Sequence, residues 1–316
     1  MSSHWIRRGL LALASASALL VAACGSGSIE SQLQPTRVVV FGDGFSDVGQ
    51  TGKRYTVNDN GTNIWAQQLA QSFGVPLTTV AAGGTSYATG NARINTKPDA
   101  AGNNATPTIA EQIGTFLAGN APTANDLVVV NGGISDIIVE TAQLNAGAQT
   151  PEQMLEDVKQ AGRDLAAQVR RLVQAGGTHV VVVGAYDLGR SPWATATGKA
   201  SLLSEASTKF NTELLVSIVD LGANVLYVDA ALLYNLMISN PEFYGLSNAV
   251  DPVCNSIDPG PGIGIGAGQV NSALCTTSTL INTSYGLYVF ADRVYPAPAA
   301  HIKFGDYAYS RVRSRW

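Results

Sequence analysis

The chain has 316 residues, 46% of them hydrophobic and only 13% charged, with a formal net charge of -4 at pH 7. Such a chain can bury a large core, and it is not a disordered one, which would pair low hydrophobicity with high net charge. The short basic runs, Arg170-Arg171 and the tail Arg311, Arg313, Arg315, read as solvated faces, so nucleic acid is not an expected partner.

In chain order, the first feature is Arg7-Arg8 followed by a largely apolar stretch, Leu10 to Ala23, which ends in Val21-Ala22-Ala23-Cys24. A basic start, a short apolar run and small residues at its end describe a secretory signal. About 14 residues are too few for a transmembrane helix, which needs ~20. The cysteine straight after the small residues resembles a bacterial lipobox, which implies a signal peptide over 1–23 and a lipidated Cys24 as the new N-terminus. The alternative is an ordinary signal peptide with a chance cysteine. Gly25 at the next position implies, by the same resemblance, the outer membrane, with the protein facing the periplasm or exported. Residues 24–35 are Gly/Ser-rich and then polar, as a flexible tether would be, and a single domain is expected over 36–316.

Four β-branched runs follow: Arg37–Phe41, Leu127–Asn131, His179–Gly184 and Asn224–Asp229, with a weaker fifth at Pro76–Ala81. Their interiors are apolar on both faces, as in parallel strands covered by helices on both sides. Helical patterns separate them at Ile64–Phe73, Ile109–Leu117 and Leu202–Leu221, and most clearly from Thr150. There Pro151 takes the first helical position, Gln153 completes a capping box, and Leu155, Val158, Leu165, Val169 and Leu172 form an apolar stripe that Gly176 ends. The alternation predicts a doubly wound α/β domain: a three-layer α/β/α sandwich around a central, mostly parallel five-stranded sheet. Asp258–Gly268 neither follows a strand nor matches a phosphate-binding fingerprint, and it reads as a mobile surface loop. In an oxidising compartment Cys254 and Cys275 are expected to pair, closing a loop worth about 3 kcal/mol in the chain-entropy description; two buried free thiols are the alternative.

In such a sheet, chemistry belongs just beyond the carboxyl ends of the strands. After the first strand stands Phe41-Gly42-Asp43-Gly44-Phe45-Ser46-Asp47-Val48-Gly49; further on come Ala82-Gly83-Gly84-Thr85, then Gly133-Ile134-Ser135-Asp136, then Asp292-Arg293-Val294-Tyr295-Pro296. In this order the blocks resemble those of the SGNH/GDSL ester hydrolases, from about Arg37 to Val312. The resemblance implies that family's flavodoxin-like fold, acyl transfer by a Ser–His–Asp triad and no cofactor. It also places departures. Gly44 stands where the family has its nucleophilic serine, Tyr295 where it has the catalytic histidine, and Ser135 where it has the oxyanion-donating asparagine. Asp292 is kept, and Gly84 is the expected second oxyanion position.

Gly44 has no side chain to acylate, and a phenol with a reference pKa of ~10 is a donor and a poor base at neutral pH. The family's mechanism is therefore not expected to operate. A non-catalytic envelope lipoprotein that binds an acyl-ester or glycan ligand, or a protein partner, is the first reading. An esterase or lipase using the rearranged residues Ser46 and His301 is the second. Asp43, Asp47, Asp136 and Asp292 lack a histidine or cysteine set around them, so no metal is expected, and they are read as acceptors for backbone N–H groups at the strand ends.

Overall fold

The computed structural model describes residues 33–59 and 61–316. The expected signal peptide, Cys24 and the expected tether as far as residue 32 lie outside them. Leu33 and Pro35 are already buried, and a compact unit runs from Leu33 to Trp316. No helix among the described residues is long and apolar enough to cross a membrane.

Four parallel strands, β1 (Arg37–Phe41), β2 (Asp126–Asn131), β3 (Val180–Val183) and β4 (Val225–Tyr227), form a sheet in the order β1-β2-β3-β4. Val38, Val39 and Val40 align with Leu127, Val128 and Val129, and Val128, Val129 and Val130 with Val180, Val181 and Val182. All of these side chains are fully buried, as the two-faced apolar runs require. Two layers of helices supply the burial. On one side lie α2 (Ile109–Gly119), α3 (Ile134–Asn145), α4 (Pro151–Gln174) and α6 (Ala200–Ser217); on the other lie α1 (Trp65–Ser72), α7 (Ala230–Ser239) and α8 (Pro298–Arg315). A short α5 (Pro192–Thr197) precedes α6.

The local signals for α4 hold in detail. Thr150 Oγ1 accepts the Gln153 N–H while Gln153 Oε1 accepts the Thr150 N–H, and Gly176, at φ +109°, follows its C-cap.

The fifth strand is corrected. Pro76–Ala81 is largely exposed and turns into a 3-10 turn, Val80–Ala82, capped by Thr79 and closed by Gly83 at φ +80°. The chain then doubles back, and Thr85–Tyr87 takes the place beside β1: the Val40 N–H donates to the Thr85 carbonyl (3.1 Å) and the Tyr87 N–H to the Val40 carbonyl (2.7 Å). Only isolated bridges form there, so the regular sheet has four strands.

Beyond the carboxyl ends, β5 (Asn248–Pro252) pairs in parallel with β8 (Tyr288–Phe290), and the hairpin β6 (Ile257–Asp258) with β7 (Gln269–Val270) carries the Gly/Pro-rich loop. That loop is pinned rather than loose. Ile263 is buried, and the Gly262 carbonyl accepts from Asn91 Nδ2 (3.1 Å). Cys254 and Cys275 form the expected disulfide, with a Cα–Cα distance of 5.8 Å.

Candidate functional site

The chain leaves β1 at Phe41 and turns at once. The Gly42 N–H and carbonyl are both held by Gln112 of α2 (2.9 and 3.0 Å). A Cβ at Gly42 would overlap Asn131 Oδ1, so only glycine fits at this close approach of β1 and β2. The next residue, Asp43, is fully buried. Its Oδ1 accepts the Phe45 N–H (3.0 Å) and Asn131 Nδ2 (2.8 Å), while its Oδ2 has no partner. Burial raises its pKa, and the N–H groups of Phe45 and Ser135 and the Asn131 amide work against that rise.

Gly44 faces the tip of Tyr295. A Cβ built on Gly44 would lie 2.9 Å from both Cζ and Oη of Tyr295 and 3.0 Å from Cγ of Tyr55. The two tyrosine rings pack at 5.0 Å between centroids. The phenol therefore occupies the space into which a side chain at position 44 would project. Tyr295 is fully buried, and burial, then the Asp43 carboxylate, pushes its pKa well above the usual phenol value. Its Oη closes no hydrogen bond of ordinary geometry. The Ser135 hydroxyl comes near enough to hold the Tyr295 pKa down slightly, yet Ser135 Oγ is likewise buried without a partner.

Asp292 lies behind this group and is spent on the backbone. Oδ1 accepts the Val294 and Tyr295 N–H groups (2.7 and 2.6 Å), and Oδ2 accepts the Ser272 N–H (3.0 Å). It is fully buried, and burial raises its pKa. Asp47 is used in the same way: Oδ1 takes the N–H groups of Gly49 and Gln50, and Oδ2 that of Gly90 (2.8 Å). Burial raises it to about 6. Asp136 pairs with Arg93 (3.3 Å) and lies against the Ile94 N–H. Among the described residues no three His, Cys, Asp or Glu side chains gather to hold a metal ion.

Gly84 is not part of this group. Its N–H donates to the Thr79 carbonyl (2.8 Å), closing the turn ahead of Thr85, and a Cβ there would overlap Thr78. The glycine brought to the site is Gly90, six positions later, against which the Tyr55 ring lies so closely that no Cβ fits. The double glycine drew attention to the turn, whereas the close approach occurs in Thr89-Gly90-Asn91, where nothing in the local pattern marks it. Tyr55, in an aperiodic polar loop, carried no sequence signal either.

The two substitute residues do not meet. Ser46 is fully buried, and its Oγ accepts from Trp65 Nε1 (3.1 Å). His301, also fully buried, accepts the Trp65 backbone N–H on Nδ1 (3.4 Å), satisfying the first N–H of α1 from α8. That acceptor role puts the imidazole proton on Nε2, which has no partner.

Burial, with the Arg54 charge adding to it, lowers His301 to about 3, against ~6.5 in an unfolded chain. The unfolded state binds the extra proton first as pH falls, so the stability from this residue is complete above pH ~6.5 and is lost as pH drops toward 3. Between pH 7 and 4.5 this amounts to about 2–3 kcal/mol, at ~1.4 kcal/mol per pH unit. Urea unfolding at both pH values should show that much less pH dependence in His301→Gln than in the wild type. Equal pH dependence in the two proteins would contradict a neutral, buried imidazole.

Residues 38–308 match the family model of the GDSL-like lipase/acylhydrolases. The chain is 26% identical over 308 residues to an uncharacterized protein in the trpE-trpG intergenic region of Pseudomonas putida, covering 88% of this chain and 49% of that one. It is 30% identical over 162 residues to Lipase 1 of Photorhabdus luminescens, covering 48% of this chain and 22% of that one. The chain thus spans about half the length of the first relative and about a fifth of the second. Among solved structures, Est24, a carbohydrate acetylesterase from Sinorhizobium meliloti, superposes with a TM-score of 0.46 at 14% identity, over 89% of this chain and 99% of that one. The native M. smegmatis aryl esterase gives 0.44 at 15% identity, over 89% and 100%.

Proposed function

Because the chain belongs to the GDSL-like lipase/acylhydrolase family, we propose that it is a member that has given up hydrolysis and acts as an envelope lipoprotein, anchored through Cys24, that binds an acyl-ester or glycan ligand or a protein partner. The observation that carries the loss of hydrolysis is the Tyr295 phenol tip standing 2.9 Å from where a Cβ on Gly44 would be. Acyl transfer of this kind needs a hydroxyl, a base to take its proton and donors for the oxyanion. Position 44 offers no atom beyond its α-carbon. Tyr295 stays protonated across the physiological range because its pKa is raised, so it cannot serve as the base. It also fills the volume a nucleophile would need.

The persistence of Asp43, Asp47 and Asp292 has its own explanation. Each carboxylate holds backbone N–H groups that would otherwise be buried unpaired, which gives these acids a reason to remain when the reaction is gone. In a triad hydrolase, losing any member leaves only ~10³–10⁴-fold over water, and here two triad positions differ.

The competing account is a carboxylic-ester hydrolase working through Ser46 and His301. It would need these residues to leave Trp65, which both now contact. Hydrolysis of short p-nitrophenyl esters separates the two accounts. The purified protein is expected to give no turnover above buffer, with Ser46→Ala indistinguishable from it. Turnover that disappears in Ser46→Ala would establish the hydrolase instead.

A further inference from the structure

We propose that the end of the fold at which the parallel strands begin docks on anionic phospholipid headgroups. The inference deepens the proposed lipid anchoring at Cys24 and rests on that reading.

Backbone hydrogen bonds define this end. The Thr36 N–H donates to the Asn125 carbonyl, the Val128 N–H to His179 and the Val180 N–H to Asn224, each at 2.9 Å. All these residues sit at the amino ends of the strands, where the chain enters its compact unit. The last turn of α6 and the 3-10 turn Val219–Leu221 come down to the same place, because they lead directly into β4. The end of α8 arrives there too. Arg315 donates to the Gly222 carbonyl (2.5 Å), and Trp316 packs edge-on against His179 at 5.0 Å between centroids. Two features with no part in the candidate site are thereby joined: the basic tail of α8 and a set of uncovered apolar side chains.

Val216 is 65% exposed, Val219 78% and Leu215 40%. Arg311, Arg313 and Arg315 alternate along the final turns of α8, and none pairs with a carboxylate side chain among the described residues. The nearby acidic groups are taken: Asp220 by Arg170 (2.8 Å) and Asp126 by Arg37 (2.6 Å). The three arginines outnumber the further anion at this end, the Trp316 terminal carboxylate, so this end is net basic on a protein whose formal net charge is -4.

The covalent chain says what covers it. Only the stretch between Cys24 and Leu33 separates a lipidated cysteine from the packed domain, and at ~3.3–3.6 Å per residue it reaches no further than about 30 Å. A tether of that reach keeps the domain close enough to touch the bilayer. Once this end comes within the ~8–10 Å Debye length, the arginines are drawn to the anionic surface and the isolated valines can enter the interfacial layer. The positive charge selects headgroup phosphates over a purely apolar partner.

The test uses the chain from residue 24 carrying Cys24→Ser, so that no acyl chain contributes. It is mixed with phosphatidylglycerol/phosphatidylethanolamine vesicles and, separately, with phosphatidylcholine vesicles, and binding is read by co-sedimentation. We expect binding to the anionic vesicles only, lost at high salt. Arg311→Gln/Arg313→Gln/Arg315→Gln should weaken it about tenfold or more, and Val216→Ser/Val219→Ser should weaken it as well. No binding of the Cys24→Ser chain to anionic vesicles overturns the proposal, and so does binding that both sets of substitutions leave unchanged. The anionic-versus-neutral comparison needs no surface variant, so it decides even if one fails to fold. Anchoring is checked separately, by the intact mass of the wild-type chain. An unacylated Cys24 would sink the anchor reading while leaving the vesicle result to stand on its own.

Discussion

Gly44→Ser alone should yield a destabilised and still inactive protein, whereas Gly44→Ser/Tyr295→His/Ser135→Asn should fold and hydrolyse short esters. The single substitution drives a Cβ to 2.9 Å from the Tyr295 ring tip and 3.0 Å from Tyr55, with a hydroxyl beyond it. Overpacking of that kind costs about 1–3 kcal/mol. Replacing Tyr295 by the smaller imidazole removes the clash, so the two substitutions should couple by about 1 kcal/mol or more in a double-mutant cycle. In the triple variant the serine gains a base in place of the phenol, and an amide replaces the Ser135 hydroxyl. Gly90 does not help with the oxyanion as the site stands, since its N–H is held by Asp47 (2.8 Å); the donors would be the residue-44 N–H and the new asparagine. Even with that partial oxyanion hole, a rise of about 10³-fold over the wild type is expected, because the nucleophile and its base are each worth several decades. Ester turnover together with urea unfolding of the single, double and triple variants checks both halves. Additive destabilisation by Gly44→Ser and Tyr295→His would mean that the two positions do not share one volume.

Asp292→Ala should be among the most destabilising substitutions in the molecule, by about 3–5 kcal/mol, while Asp292→Asn costs much less. The alanine leaves the N–H groups of Ser272, Val294 and Tyr295 without their acceptor in a fully buried setting, and each such orphan costs about 1–3 kcal/mol. Asparagine keeps one oxygen for the Val294 and Tyr295 N–H groups and loses the one aimed at Ser272. The loss should spread beyond the carboxylate. Ser272 sits just ahead of Cys275, and Asn58 Nδ2 donates to the carbonyls of both (3.2 and 3.1 Å), so the disulfide segment and the loop bearing Tyr55 are tied to the same point. Urea unfolding of the two variants provides the measurement. Equal, small losses in both would show that the carboxylate does not organise this region.

The sheet was legible because β-branched runs buried on both faces leave few alternatives, and α4 because its cap, proline and stripe agree. The fifth strand was misplaced for a physical reason. Pro76–Ala81 has the composition of a strand, but Thr79 and Gly83 close a turn there and hand the edge position to Thr85–Tyr87. At the site, the first block could be read because it follows a predicted strand directly. The Asp292 block was legible only through its resemblance to the family's last block, since β8 ahead of it has no strand signal long enough to stand out. Gly90 and Tyr55 could not be read, since both arrive from aperiodic loops whose course depends on side chains far along the chain, such as Asp47 holding the Gly90 N–H. Nor did the sequence reveal that the changes at positions 44 and 295 belong together, because 251 positions separate residues that touch only in the folded protein.

The most direct trial of the whole account is the intact mass of the purified protein after exposure to a fluorophosphonate. Such a probe phosphonylates an activated serine whatever its partners. With no hydroxyl at position 44 and with Ser46 buried against Trp65, the mass should stay unchanged under conditions that fully label the triple variant. A stoichiometric adduct on any serine of the wild-type chain would contradict the account, and its position would identify the working nucleophile.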